Sequence, residues 1–165
     1  MTREPEIVPF DEAHLDAAAA LLAGRQARLR DLRPELPAAF AEPAACRPLL
    51  AELLGRDGAH GVVALGGPEP SGPLQGYLLG YPRQEEIWGR SCWSPIEGHA
   101  LAGDADPEVA RDLYAAWSAH FVGRGFFRHY VHAPADDAAL AAAWFRTGFG
   151  QMQAHAVRDV ELSAP

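Results

Sequence analysis

The sequence contains no lysine and no asparagine, so all 14 of its basic residues are arginines. Together with the abundance of alanine, this bias is typical of a GC-rich genome, and we interpret it as background rather than chemistry. Acidic residues number 22, which gives a net charge of −8 at pH 7. Because affinity for nucleic acid comes mainly from basic side chains that neutralise phosphates, this charge balance argues against a nucleic-acid-binding protein.

Cysteine is scarce, and long apolar runs are missing. The two cysteines, Cys46 and Cys92, are far apart and lack the spacing of metal ligands, which predicts reduced core residues. No apolar run approaches the ~20 residues that a membrane span requires, and no secretory signal opens the chain. We therefore expect a cytoplasmic protein without membrane contact. A length of 165 residues, 48% of them hydrophobic, predicts one packed domain over residues 1–165.

The periodicity of apolar residues predicts a strand, then helices, then three or four strands, and finally a helix, a strand, a helix and a strand. The predicted fourth strand is interrupted by Pro95 and Gly98, which suit a bulge because both weaken ladder pairing. The segments that matter below are the fourth strand Arg90–Leu101, a helix that begins at Asp106, the fifth strand Phe127–Ala133, a helix at about 136–147 and a final strand at about 155–162.

The closing helix ends at Gly148, since glycine enters the left-handed region that a helix C′ position favours. Phe149 follows and is expected to fold back onto the helix. This ending of helix, Gly, Phe and strand resembles the C-terminal signature of the GNAT superfamily, the acyl-CoA-dependent N-acetyltransferases. The order of elements is similar across almost the whole chain. The resemblance implies an α/β fold, with a mixed, mostly antiparallel sheet of six to seven strands flanked by about four helices.

The resemblance also implies a ligand cleft and acetyl-CoA as co-substrate. In this superfamily the fourth strand carries a bulge and splays from the fifth, and pantetheine pairs with the fourth strand in the V-shaped cleft between them. Here the corresponding backbone belongs to Gly98, Ala100 and Leu101. The diphosphate would lie at the N-terminus of the following helix, formed here by Glu108, Val109 and Ala110.

The phosphate-binding loop departs from the family pattern. The family's Arg/Gln-x-x-Gly-x-Gly/Ala motif falls on residues 105–110, where only Ala110 matches. Glu108 replaces a glycine, and Pro107 removes an N–H donor. Asp104 and Asp106 add further negative charge, which opposes a diphosphate. The same residues also form a good self-capped helix start, with Asp106 as N-cap and Pro107 at the first helical position.

Three residues are candidates for the chemistry of acyl transfer. Glu97 is the first choice of base, because a partly dry cleft raises a carboxyl pKa toward neutrality. His99 is the second choice, and on a regular strand it would share a face with Glu97. Tyr130, on the fifth strand, is the best remaining phenol, as an acid or a substrate contact. The position of the family's acidic Tyr holds Trp144, whose indole is no acid and which we interpret as core or cleft wall.

The sequence predicts no metal site. His129 and His132 are three residues apart on a strand and would point to opposite faces, so they cannot chelate one ion together. The central strands are unusually aromatic, and this set would line an acceptor pocket, form a homodimer face or simply fill the core. Its members are Tyr77, Tyr81, Trp88 and Trp93.

Two functions from different classes remain open on the sequence. One is an N-acetyltransferase that moves an acetyl group from acetyl-CoA to a small-molecule amine. The other is a non-catalytic GNAT-like module that has lost the phosphate loop and keeps the cleft for binding or dimerisation. A fold resemblance alone does not decide between them.

Overall fold

The computed structural model describes residues 5–67 and 72–155. Within these residues the strands are β1 (Glu6–Pro9), β2 (His60–Leu65), β3 (Leu74–Glu85), β4 (Gly89–Ser94), β5 (His99–Leu101) and β6 (His129–Val131), and the helices are α1 (Leu15–Leu32), α2 (Pro43–Leu54), α3 (Val109–Val122) and α4 (Ala138–Arg146). Short 3₁₀ turns span Glu12–His14, Ala38–Ala41 and Ile96–Gly98. The predicted final strand lies, from residue 156 onward, outside the described residues.

The sheet has the order β1-β2-β3-β4-β6, and all its pairs but one are antiparallel. The exception is β4 with β6, which run parallel. One edge of the long strand β3 pairs with β2, and the other edge has two partners, since its second half pairs with β4 and its first half pairs with β5. The six strands of the described part and the four helices confirm the predicted mixed, mostly antiparallel architecture.

The predicted fourth strand is divided in two by the turn Ile96–Gly98, so that β4 and β5 are its halves. The interruption lies where Pro95 and Gly98 were expected to disturb the ladder. The Gly98 amide donates to the Pro95 carbonyl at 2.8 Å and closes the turn. The predicted fifth strand is shorter than expected and corresponds to β6.

Two apolar cores lie on the two faces of the sheet. Alternation along β3 sends Tyr77 and Leu79 to the side of α1 and α2, and Leu78 to the side of α3 and α4. Trp117 of α3 is fully buried in the second core. Apolar packing therefore fixes both helical layers to the sheet and holds the strands between them in place.

The end of α4 matches its prediction. Gly148 adopts a φ of +96°, a conformation that glycine accepts without strain. The Phe149 amide then donates to the carbonyl of Trp144 at 3.3 Å, and the Phe149 ring packs edge-on against the Trp144 indole at 5.3 Å between centroids. Phe149 thus folds back onto the helix as expected. In the described ranges, no helix combines the length and the apolar character that crossing a membrane requires.

Candidate functional site

The sheet forks where β4 ends. Pairing of β4 with β6 runs from Cys92 with His129 to Ser94 with Val131, and the His132 amide adds one bond to the Ser94 carbonyl at 2.9 Å. Beyond this point β5 pairs with β3 alone within the described ranges. One edge of β5 therefore faces an opening between the two diverging strands, which we call the fork.

Two residues of β5 direct their backbone polar groups into the fork. The Ala102 amide donates to the Gln75 carbonyl at 2.9 Å, and the register then makes Ala100 with Tyr77 the next hydrogen-bonded pair. The backbone N–H and C=O groups of His99 and Leu101 consequently point away from β3. The assignment of Leu101 to the cofactor site stays a prediction. For Ala100 the expectation is corrected, because its backbone is paired within the sheet.

Gly98 shapes the fork and does not offer its amide to a ligand. Its amide is bonded to the Pro95 carbonyl. A Cβ at this position would lie 2.5 Å from both the Leu79 carbonyl oxygen and the Ser94 hydroxyl. The expectation of a cofactor-binding amide here is therefore corrected, and Gly98 is the residue that allows the turn to approach β3.

His99 lies inside the protein and is only 3% exposed. Its Nε2 lies 2.9 Å from the His132 carbonyl, which accepts and so requires the Nε2–H tautomer. Burial, followed by the charge of Arg25, lowers the pKa of His99 to about 3. The prediction of His99 as the amine base is contradicted by this burial and by the bond that occupies Nε2. His99 instead ties β5 to the end of β6 across the fork.

Glu97 lies in the 3₁₀ turn at the fork and is half-buried. Its backbone carbonyl accepts a 2.7 Å hydrogen bond from the Tyr77 hydroxyl, which fixes the turn and leaves the carboxylate to other partners. The negative charge of Glu97 acts on His132, whose pKa it raises against the stronger lowering by burial and by His155. Glu97 does not share a strand face with His99, because the turn breaks the alternation.

Tyr130 belongs to an aromatic wall on the face of α1 and α2. Its ring stacks on Trp93 with 4.3 Å between centroids and an 18° interplanar angle, and Trp88 meets both rings edge-on. His132 contacts the same wall, with its ring 5.4 Å from that of Trp93. Tyr130 and His132 therefore lie on one side of the fork, and the charge of Glu97 reaches His132. The sequence analysis considered His132 only as a metal ligand and did not predict its place beside this aromatic wall.

The residues at the start of α3 offer no free amides. The Glu108 amide donates to the Asp106 carboxylate at 2.9 Å. The amides of Val109 and Ala110 donate to the carbonyls of Asp106 and Pro107 at 3.0 and 3.1 Å. The expectation that Glu108, Val109 and Ala110 hold a diphosphate through backbone donors is corrected, since each donor already has a partner within the turn that precedes the helix.

Glu108 also has a charged partner that the sequence did not indicate. Arg146, on α4, donates to its carboxylate from Nε at 2.9 Å and from a second guanidinium nitrogen. Both side chains are partly exposed, so the pair contributes at most ~1 kcal/mol to stability. Its chief consequence is electrostatic, because the negative charge of Glu108 at this helix start is neutralised.

A cavity of about 260 Å³ adjoins the fork between α1, the segment after β5 and the start of α4. Two arginines of α1 line it and reach the edge of β5. Arg25 donates to the carbonyls of His99 and, at 2.8 Å, Ile96, and Arg28 lies 3.4 Å from the Leu101 carbonyl. Sequence reasoning missed both, although two arginines one helical turn apart at the end of an apolar stripe were visible.

Buried polar atoms without a partner gather at the fork. Among the described residues, four such atoms are inaccessible and make no hydrogen bond; Arg25 Nε, Ser94 Oγ and Trp144 Nε1 lie around the fork, and the fourth is Arg30 Nε on α1. Ser94 ends β4, Arg25 holds the His99 carbonyl, and the Trp144 indole packs edge-on against the His99 ring at 5.7 Å. An unmet buried donor costs about 1–3 kcal/mol, so such atoms mark a place where a ligand can bind favourably.

The lowered pKa values of two histidines predict how the free energy of unfolding depends on pH. Burial, followed by the charges of His120 and Arg124, lowers the pKa of His60 to about 4, and that of His99 is about 3. Below pH 6.5 the unfolded chain binds protons that the folded protein does not, so the free energy of unfolding falls with falling pH.

We expect a loss of roughly 2 kcal/mol from His99 alone between pH 6.5 and pH 5, measured by urea unfolding at both pH values. The variant His60→Gln should show a shallower dependence than the unsubstituted protein. A free energy of unfolding that stays constant over this range would contradict the prediction.

Comparison with known proteins identifies the fold. No protein-family model matches the sequence, and no curated protein matches it. Solved structures do match over nearly their full length. The ribosomal-protein-alanine N-acetyltransferase from Brucella melitensis biovar Abortus 2308 is 16% identical, with 93% of this chain and 98% of that chain covered and a TM-score of 0.61.

Two further matches have similar coverage. The aminoglycoside N-acetyltransferase AAC(6')-Iy in complex with CoA is 15% identical, with 98% and 97% covered and a TM-score of 0.64. A mutant of the BH1408 protein from Bacillus halodurans is 9% identical, with 94% and 99% covered and a TM-score of 0.73. The chain therefore has the GNAT fold that the sequence predicted, and the identities are too low to carry a substrate across.

Proposed function

We propose that this chain, which has the GNAT fold, is an N-acetyltransferase that transfers the acetyl group of acetyl-CoA to a small-molecule amine. The observation that carries the proposal is the fork, where a strand edge without a partner strand in the described residues, a cavity and unpartnered buried donors meet. The aminoglycoside enzyme AAC(6')-Iy has also been solved with the bisubstrate analogue CoA-S-monomethyl-acetylneamine. That protein supports the proposal, because a chain of the same fold binds an analogue of two joined substrates.

The residues present fit an acyl-CoA. The backbone of His99 and Leu101 faces the fork and suits the amides of a pantetheine arm, provided that Arg25 and Arg28 yield the two carbonyls they hold. The Ser94 hydroxyl and the Trp144 indole N–H are buried donors without an acceptor among the described residues. Such preorganised donors stabilise the oxygen that gains negative charge when an amine attacks the thioester.

Glu97 is the proposed base, with His132 beside it. In the transfer, the amine nitrogen forms a bond to the acetyl carbon, the carbon–sulfur bond breaks, and CoA leaves as the thiolate. The attacking nitrogen loses one proton, which the Glu97 carboxylate accepts directly or through water, and His132 shares this task. The wall of Trp88, Trp93 and Tyr130 is the proposed acceptor surface, since it lies on the same side of the fork.

A non-catalytic binding module is the second candidate. Two observations favour it, namely that the amides of Glu108, Val109 and Ala110 are already satisfied and that Trp144 is packed into the core. Under this alternative the fork would keep its shape but accept no acetyl-CoA.

Calorimetric titration with acetyl-CoA separates the two candidates. The proposed enzyme is expected to bind acetyl-CoA with a Kd below 1 mM and to release free thiol when a panel of small amines is added. Oxidised glutathione, an anion without an acyl thioester, serves as the control for general anion binding. Absence of any binding heat at millimolar acetyl-CoA would exclude the enzyme and leave the binding module.

A further inference from the structure

The cavity beside the fork carries an excess of positive charge. Its charged lining residues are Arg25 and Arg28, from α1, and Asp137, at the start of α4. The Asp137 carboxylate is engaged as the cap of α4, since it accepts from the Leu140 amide at 3.0 Å. The lining therefore presents two guanidinium groups against one carboxylate in a protein whose net charge is −8.

Both arginines lack an ion-pair partner among the acidic residues that the structure describes. Within residues 5–67 and 72–155, no ion pair includes Arg25 or Arg28, whereas seven other pairs are present. Arg25 is 4% exposed and bonded only to carbonyls, and its Nε–H has no partner in the described part of the chain. The charge of Glu97 acts on Arg25 only from beyond ion-pair distance, and burial still lowers the pKa of Arg25. An anionic ligand would therefore compensate the buried guanidinium.

The start of α3 cannot bind an anionic ligand through free backbone amides. Its first amides are bonded within the preceding turn, and the Glu108 carboxylate binds Arg146. Arg28, on α1, instead reaches the loop that leads into α3, with a guanidinium nitrogen 3.1 Å from the position a Cβ would take on Gly103. It is exposed, and is therefore able to meet a charged group that enters from solvent.

We propose that α1, and not the N-terminus of α3, supplies the anchor for the diphosphate of an acyl-CoA, with Arg28 at the mouth of the cavity and Arg25 behind it. The inference rests on the proposed function. Guanidinium groups bind phosphate oxygens through paired, charge-assisted hydrogen bonds, which suits a ligand with two adjacent phosphates. The chain would then bind the same ligand, with the positive charge for the diphosphate supplied by α1 and not by the N-terminus of α3.

The test compares Arg28→Gln with the unsubstituted protein, by calorimetry with CoA, pantetheine and inorganic pyrophosphate. We expect Arg28→Gln to weaken CoA binding about tenfold or more and to leave pantetheine, which has no phosphate, within twofold. The matched control is Arg47→Gln, which removes the same charge from an exposed arginine of α2 that pairs with Asp16. Its CoA affinity should stay within twofold.

Each other outcome has a defined meaning. Equal weakening of CoA and pantetheine, or no change in either, overturns the proposal while the acetyltransferase stands. If the unsubstituted protein binds pyrophosphate through Arg28 but not acetyl-CoA, the anion site stands for a free diphosphate and the proposed function fails. If it binds neither ligand, both fail. Arg25→Lys is a second variant, expected to weaken CoA similarly, with urea unfolding to confirm that it remains folded.

Discussion

Replacing Glu97 by glutamine is expected to lower kcat for acetyl transfer about a hundredfold or more and to change KM for the amine little. Glu97 belongs to the turn at the fork, and its charge acts on His132, which contacts the aromatic wall that we assign to the acceptor. The amide of glutamine keeps the size of the side chain but cannot accept the proton. The backbone bond from the Tyr77 hydroxyl to the Glu97 carbonyl is retained, so the turn should keep its shape.

The measurement is steady-state thiol release over a pH series. The substituted protein should unfold at an unchanged urea concentration, which separates lost chemistry from lost structure. Glu52→Gln is the matched control, because Glu52 is exposed on α2 and its one ion pair in the described part of the chain is with Arg56. Activity within a few-fold of the unsubstituted protein in Glu97→Gln would remove Glu97 from the mechanism and leave His132 as the base.

Replacing Gly98 by alanine is expected to lower the free energy of unfolding by about 2 kcal/mol or more. The added methyl group would lie 2.5 Å from the Leu79 carbonyl oxygen and from Ser94 Oγ, and 3.0 Å from Pro95 Cδ. The first of these is backbone in the centre of β3, so it cannot turn aside. The turn would have to move outward, and the edge of β5 would shift with it.

Urea unfolding measures the loss, and titration with acetyl-CoA should show weakened binding in the same variant. Gly150→Ala is the control, since a Cβ there meets no atom of the described residues within 4 Å and its φ is not positive. We expect it to change the free energy of unfolding by less than about 0.5 kcal/mol. Equal effects of the two substitutions would show that close packing at Gly98 does not limit the fork.

The fold was accessible from the sequence because its signals are local. Pro95 and Gly98 marked the interruption of the fourth strand, and Gly148 with Phe149 marked the end of α4. Each depends on the conformational limits of one or two residues, which do not change with the surroundings. The order of elements then restricted the topology.

The site was less accessible, because its contacts join distant segments. Arg25 and the carbonyl of His99 are 74 residues apart, and Arg146 and Glu108 are 38 residues apart. Only the packing of α1 and α4 on the sheet brings them together. Strand alternation placed Glu97 and His99 on one face, but the 3₁₀ turn changes the phase by inserting helical backbone between them, so one is half-buried and the other is fully enclosed.

The unmet donors of Ser94, Arg25 and Trp144 imply a trade-off between robustness and binding. Each buried donor without a partner lowers the free energy of unfolding of the ligand-free protein. Natural proteins commonly retain such destabilising groups where activity requires them. A search for heat-resistant variants of this chain would therefore tend to select apolar replacements at these three positions. The most heat-tolerant descendants would then be the ones least able to capture a substrate.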